Sequence, residues 1–179
     1  MDAALDLFLE VGFDVMSIES VAERARVGKT TIYRRWRSKE ELVVASVSTL
    51  YEGVEIPDTG DVRADLTRVV EHMHGLIRTT KAGQALPRMA GELARGTALG
   101  DAYMCHVMGP KLEAAGAALQ RAKDRGDLRK DLDVQLALAS IVGPMMFLVL
   151  TGRIANFDEG LAARVVDQAV DGMKRSSID

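Results

Sequence analysis

An all-α fold is what this sequence predicts, and three observations carry the prediction. The recurring apolar residues are Ala, Val, Leu and Met, with aromatics at only 4%, a composition that suits helix packing better than sheet. Apolar residues recur at helical spacing through most of the chain. Capping and breaking residues (Gly12, Ser17, Ser38, Gly53, Gly126) stand at the ends of those runs. The expected architecture is about nine helices. It divides into an N-terminal three-helix helix-turn-helix domain at residues 1–52 and a C-terminal helical domain at residues 61–179, with a linker over 53–60.

Leu5, Phe8 and Leu9 place the first helix, which ends at Gly12. Ser17 precedes Ile18, Val21, Ala22 and Ala25, and a Ser there accepts a hydrogen bond from a first helical turn, so a second helix runs from it to about Arg26. Val27-Gly28 is a tight connection, and a third helix is expected over Lys29–Trp36, with Ile32 and Trp36 on its buried side. Ser38-Lys39-Glu40-Glu41 reads as a capping box, with Glu41 reaching back to Ser38. It opens a fourth helix through Leu42, Val43, Val47 and Leu50.

Charge adds chemistry to this pattern. The net charge is −3, yet seven cations, Arg24, Arg26, Lys29, Arg34, Arg35, Arg37 and Lys39, fall in one stretch that holds no Asp or Glu. Residues 1–23 and 40–62 contain no Lys or Arg. Two short helices across a tight turn, the second of them basic, form a helix-turn-helix whose second helix enters the major groove. Thr30 and Thr31 suit base edges or a thymine methyl, and Arg34 suits a guanine. Tyr33, Arg35 and Lys39 suit phosphates, which set register. With Ser17 and Lys29 these residues make up the expected DNA-facing set.

The run F-L-E-V-G-F-D-V-M-S-I-E-S-V-A-E-R-A-R-V-G-K-T-T-I-Y-R-R-W-R-S-K-E-E-L-V resembles the N-terminal domain of the tetracycline-repressor (TetR) family, without a gap from Ala3 to Ala45. The resemblance implies a homodimeric regulator with a small-molecule pocket in a divergent C-terminal domain, most members being repressors that leave DNA when the pocket fills. Two departures stand out. Arg26 occupies a turn position where the family usually has Gly, so either Arg26 takes a left-handed conformation or Gly28 absorbs the bend. The chain also begins already inside the first helix, without the family's usual basic arm, as a truncated or mis-assigned start would.

Five further helices are expected. The fifth runs from Val62 to about Thr80 and the sixth from Leu86 to Ala94 near Pro87. Asp101 opens a seventh, bent at Pro110 and ended by Gly126. The eighth covers Val134–Thr151, and Asp158 caps the ninth. The eighth and ninth are more apolar than a small domain needs, which supports pairing with a second copy through Leu138, Ile141, Val149, Leu161, Val165, Val166, Ala169, Val170 and Met173. Met residues concentrate on helices five to eight, and Met fills adaptable spaces. The expected effector pocket draws on Met73, Ile77, Met89, Glu92 and Leu93, with Tyr103, Met104, Met108, Met145 and Phe147. His72 and His106 are further polar candidates.

Other classes find little support. No nucleophile–base pair or metal spacing appears, and His72 and His74 lie two apart, on different faces of a helix. Gly28-Lys29-Thr30 lacks the Gly that a phosphate loop needs five residues earlier, where Glu23 stands. An enzyme is therefore not expected, and neither is a cofactor. The run Leu136–Leu150 is shorter than the ~20 residues of a membrane span, and no secretory signal is expected from residues 1–23, which lack a positive region. Cys105 is alone, which fits a cytoplasmic protein and a small buried hydrophobe. The expected partners are a double-stranded DNA operator, a second copy and a small hydrophobic effector. The alternative is a helical small-molecule carrier without specific DNA binding.

Overall fold

The computed structural model describes residues 1–53, 56–156, 158 and 160–174. Val54 and Glu55 of the expected linker, and 175–179 at the end of the expected second domain, lie outside the described residues. Among those described, every regular element is helical. The helices are α1 (Asp2–Val11), α2 (Ile18–Ala25), α3 (Lys29–Tyr33), α4 (Lys39–Ser48), α5 (Val62–Thr79), α6 (Ala82–Ala94), α7 (Ala98–Tyr103), α8 (Gly109–Arg125), α9 (Val134–Leu150) and α10 (Leu161–Met173). A 3-10 turn (Thr49–Tyr51) follows α4, and a π turn (Met104–Met108) joins α7 to α8.

Two compact units result. One is Met1–Glu52 with Thr80–Gly109, the other Gly53–Thr79 with Pro110–Asp179. Residues 80–109 thus pack with the N-terminal helices, whereas the sequence reading groups them with the second domain.

The first unit is built on Phe8 of α1, Leu42, Val43 and Val47 of α4, Met89 of α6, and Leu99 and Tyr103 of α7, all fully buried. Tyr51 and Tyr103 interact through their hydroxyls in this core, and burial pushes both phenols above their ordinary range. Helices α6 and α7 touch closely at Gly100, where a Cβ would stand 2.7 Å from the Glu92 carbonyl. The sixth helix starts earlier than Pro87 implies: Ala85 already donates to the Lys81 carbonyl at 2.9 Å, and Pro87 lies in the interior. The seventh starts before Asp101, because Thr97 accepts from the Gly100 N–H at 3.2 Å and caps it. Pro110 brings a wider turn. The Gly109 N–H bonds back to the Met104 carbonyl, which accommodates a residue with no N–H of its own.

In the second unit α10 lies along α5 and beside α9. Leu66, Val70, Leu119, Ile141, Val166 and Val170 fill the interior. The Arg63 guanidinium reaches from α5 to both Asp167 and Asp171 on α10. Asp133 caps α9 through the Gln135 and Leu136 N–H groups, at 2.9 and 3.1 Å. The N-cap position of α10 is Gly160, two residues after the expected Asp158; the Asp158 carboxylate holds Arg164 at 2.9 Å and also draws on the Gly160 N–H. No helix among the described residues is long and apolar enough to cross a membrane.

Candidate nucleic-acid interface

Each helix of the reading head is fixed from behind by apolar burial and from its ends by caps. Ile18, Val21 and Ala22 seat α2. The Ser17 hydroxyl accepts from the Ser20 N–H at 3.1 Å, and the Ser20 hydroxyl accepts from the Ser17 N–H in return, so both hydroxyls work inside the fold. Ser17 therefore starts the helix rather than offering a free hydroxyl. Ile32, buried, is the sole anchor within α3. That helix is shorter than expected. Arg35 donates to the Ile32 carbonyl three residues back at 2.9 Å, which tightens α3 into a turn over Arg34 and Arg35, while Trp36 still bonds to the same carbonyl four residues back at 2.9 Å.

The tight connection settles how the chain passes Arg26. Gly28 has an ordinary extended backbone. Arg26 takes the left-handed conformation, with φ 56 and ψ 42. Its N–H bonds to the Glu23 carbonyl at 3.1 Å, and the Val27 N–H to the Ala22 carbonyl at 3.0 Å. These bonds satisfy the end of α2 in the manner usually reserved for Gly. A side chain held left-handed costs roughly 1–2 kcal/mol.

The seven cations separate into groups. Arg24 forks onto Glu10, both bonds at 2.7 Å, and holds that carboxyl below its usual range. Lys29 meets Glu19 at 2.7 Å and lowers it likewise. Arg35 lies 5.0 Å over the Trp36 ring. Lys39 turns inward: its ammonium donates to the carbonyls of Phe13 at 2.7 Å and Met16 at 3.1 Å and sits 4.2 Å from the centre of the Phe13 ring. It ties the start of α4 to the α1–α2 loop. Arg26, Arg34 and Arg37 are exposed, and none has a carboxylate partner among the described residues. Thr30, Thr31 and Tyr33 are exposed beside them. Ser38 caps α4 by accepting from Glu41 N–H at 3.1 Å. The Glu41 carboxylate reaches one residue further back than expected, to the Arg37 N–H at 2.7 Å. A groove of about 440 Å³ runs beside this surface, with Val21, Ile32 and Trp36 in its wall and Arg34 and Arg35 among its polar lining.

The expected pocket residues divide between the units. Met89, Glu92, Leu93, Tyr103, Met104 and Met108 belong to the first, and Met73, Ile77, Met145 and Phe147 to the second. Met89, Tyr103, Ile77 and Met145 are buried, while Met104 and Phe147 are exposed. Leu93, Met108 and Met73 are half-buried. Glu92 is held locally, by Arg95 and by the Thr97 hydroxyl at 2.8 Å. His72 and His106 are exposed. Cys105, expected inside, is exposed because it lies on the outer side of the π turn. His74 is the buried histidine. Its Nε2 has no hydrogen-bond partner among the described residues, and burial and the nearby Arg78 hold the imidazole below its ordinary range.

Of the expected dimer residues, Leu138, Ile141, Val149, Leu161, Val165, Val166, Val170 and Met173 are buried by the chain itself, and Ala169 is half-buried. The face of α9 that stays open is Leu136, Ser140, Gly143, Phe147 and Leu150. Leu136, Phe147 and Leu150 are 67%, 58% and 55% exposed. Their spacing of four, three, four and three residues is that of a helix seam.

Comparison with known proteins agrees with this geometry. Residues 1–46 match the family described as bacterial regulatory proteins, tetR family, and residues 56–169 match the tetracyclin repressor-like C-terminal domain. The chain is 31% identical to the uncharacterized HTH-type transcriptional regulator YdeS of Bacillus subtilis, over 99% of this chain and 89% of that protein. It is 33% identical to the DNA-binding transcriptional repressor TetR of Mycobacteroides abscessus, over 93% and 87%. Among solved structures it resembles the TetR family transcription regulator SCO0332, with a TM-score of 0.74, 28% identity, and 97% and 95% of the two chains covered. A helix-turn-helix with an outward cationic face, in a chain matched nearly end to end, places this protein in the TetR family of transcriptional regulators.

Proposed function

We propose that the protein is a ligand-responsive repressor that binds a near-palindromic operator as a homodimer and is released by a small hydrophobic effector. The observation that carries this reading is the open face of α3. Thr30, Thr31, Tyr33 and Arg34 stand in solvent while Ile32 alone holds the helix. Threonines and an unpaired guanidinium at that position match base edges, thymine methyls and guanine. Arg35 and Arg37, with Lys29 once it leaves Glu19, supply phosphate contacts. The free N–H groups opening α4 can hold another phosphate. Lys39 supports this surface from inside.

The open seam of α9 supports pairing with a second copy, since an apolar helix face on a small chain gains stability only when covered. Small residues at Ser140 and Gly143 let two such helices approach. Pairing presents two reading heads. Their spacing on DNA must be one helical turn, ~34–36 Å, or a multiple of it. In this reading residues 1–52 read DNA, residues 61–179 pair and hold the effector, and the protein works in the cytoplasm. An effector shifts the balance only by its differential affinity for the DNA-competent and released forms. Within the second unit, Met73, Met145 and Met146 supply adaptable apolar lining.

The experiment is selection of duplexes from a random-sequence pool by the purified protein, followed by sizing of the complex. The expected result is an inverted repeat bound by two chains. Enrichment of no sequence at all would overturn the reading.

A further inference from the structure

We infer that Arg26 is an additional phosphate-contacting residue of the DNA interface, kept in the turn between α2 and α3 despite a backbone conformation that favours glycine. The inference rests on the DNA-binding reading above and extends it to a residue which that reading leaves out. Arg26 is the one non-glycine residue with a positive φ among those described. Left-handed backbone at a non-glycine residue persists where something outside local conformation favours that side chain. Nothing inside the fold does so here. The side chain is exposed and makes no ion pair or hydrogen bond among the described residues. The turn itself needs only the Arg26 backbone, whose N–H closes α2, and a glycine would supply that equally well.

The neighbouring charges sharpen the point. Arg24 and Lys29, three residues or fewer on either side, are already matched to Glu10 and Glu19. The stretch from Arg24 to Lys29 therefore contributes one uncompensated cation, and it is Arg26. It stands two residues before the N-cap of α3, so its flexible side chain projects from the end of the reading helix where a duplex backbone passes. Phosphate is the partner chemistry that fits a lone, exposed guanidinium beside a groove-entering helix.

The test compares wild type with Arg26→Gly, Arg26→Asn and Arg26→Lys on one duplex enriched by the wild-type protein from a random pool. Affinity is measured from 50 to 200 mM salt. Each phosphate contact adds about 0.9 to the steepness of log affinity against log salt. Arg26→Gly and Arg26→Asn should both lose about 0.9 of that slope, so their deficit relative to wild type shrinks about 3.5-fold over the range. Arg26→Lys should restore the slope. Glycine and asparagine both tolerate the left-handed turn, so both variants fold. Arg26→Gly should also melt about 2–8 °C higher than wild type. An unchanged slope in both neutral variants overturns the inference. Arg34→Ala on the same duplex separates the two claims. If it too leaves binding untouched, or if wild type enriches no sequence, the DNA-binding reading itself fails.

Discussion

Helices α3 and α9 are both unfinished, and in opposite ways. The five residues of α3 are held by Ile32 and leave Thr30, Thr31, Tyr33 and Arg34 in water. The seventeen residues of α9 bury six side chains and still leave Leu136, Phe147 and Leu150 uncovered. One open face is polar and cationic, the other apolar with small residues between large ones. The first is stable in water and gains by releasing counterions from a polyanion. The second is costly in water and gains by meeting a surface like itself. Under the proposed function, what each helix leaves uncovered matches the chemistry of the partner assigned to it.

The largest expected effect breaks the apolar half of the comparison. Phe147→Asp puts a charge in the middle of the α9 seam, and should weaken self-association by about 30- to 1,000-fold, the range for a central apolar anchor. Sedimentation would show a monomer with an intact helical spectrum, and operator affinity would fall with it. Next comes the polar half. Arg34→Ala should cost about 1–3 kcal/mol of binding to the preferred duplex and relax the preference at one base position, read by selection with the variant. A loss that is uniform across sequences would instead assign Arg34 to phosphate.

Lys39 sharpens the contrast, because it is a cation of the same stretch that faces inward. Lys39→Met should lower protein stability by about 1–2 kcal/mol, since two carbonyl bonds and a ring contact disappear. The salt slope of DNA binding should stay as in wild type. A slope shallower by about 0.9 would return Lys39 to the phosphate-binding set. The smallest effect concerns His74. Its folded-state pKa lies below the ordinary 6.5, so the unfolded chain takes up a proton first as pH falls. The stability it contributes is complete above about pH 6.5 and is lost as pH drops through the folded value. Melting temperature should fall more steeply between pH 7.5 and 5.5 in wild type than in His74→Phe.

Local chemistry made the reading head legible. Ser17 and Ser38 announce helix starts by the hydrogen bonds they accept within three residues, and Val27-Gly28 announces the turn. Even the left-handed Arg26 is one of only two ways to close the turn, because the end of α2 demands either a glycine or a strained residue. What the sequence hid depends on tertiary contact. Lys39 finds its carbonyls 26 and 23 residues away, and no local pattern foretells that. On α9 nearly every residue is apolar, so periodicity does not say which side meets α10 and which meets water. The expected pairing residues Leu138, Ile141 and Val149 are the inner side. Chain order groups residues 80–109 with the helices after them, while buried Tyr51, Leu99 and Tyr103 group them with the helices before.

The most direct measurement is the stoichiometry and footprint of the complex on a duplex selected by the wild-type protein. Two protected half-sites, related by inversion and centred ~34–36 Å or a multiple of it apart, with two chains per duplex, are the predicted result. Weak binding by single chains, equal on every duplex offered, would contradict it.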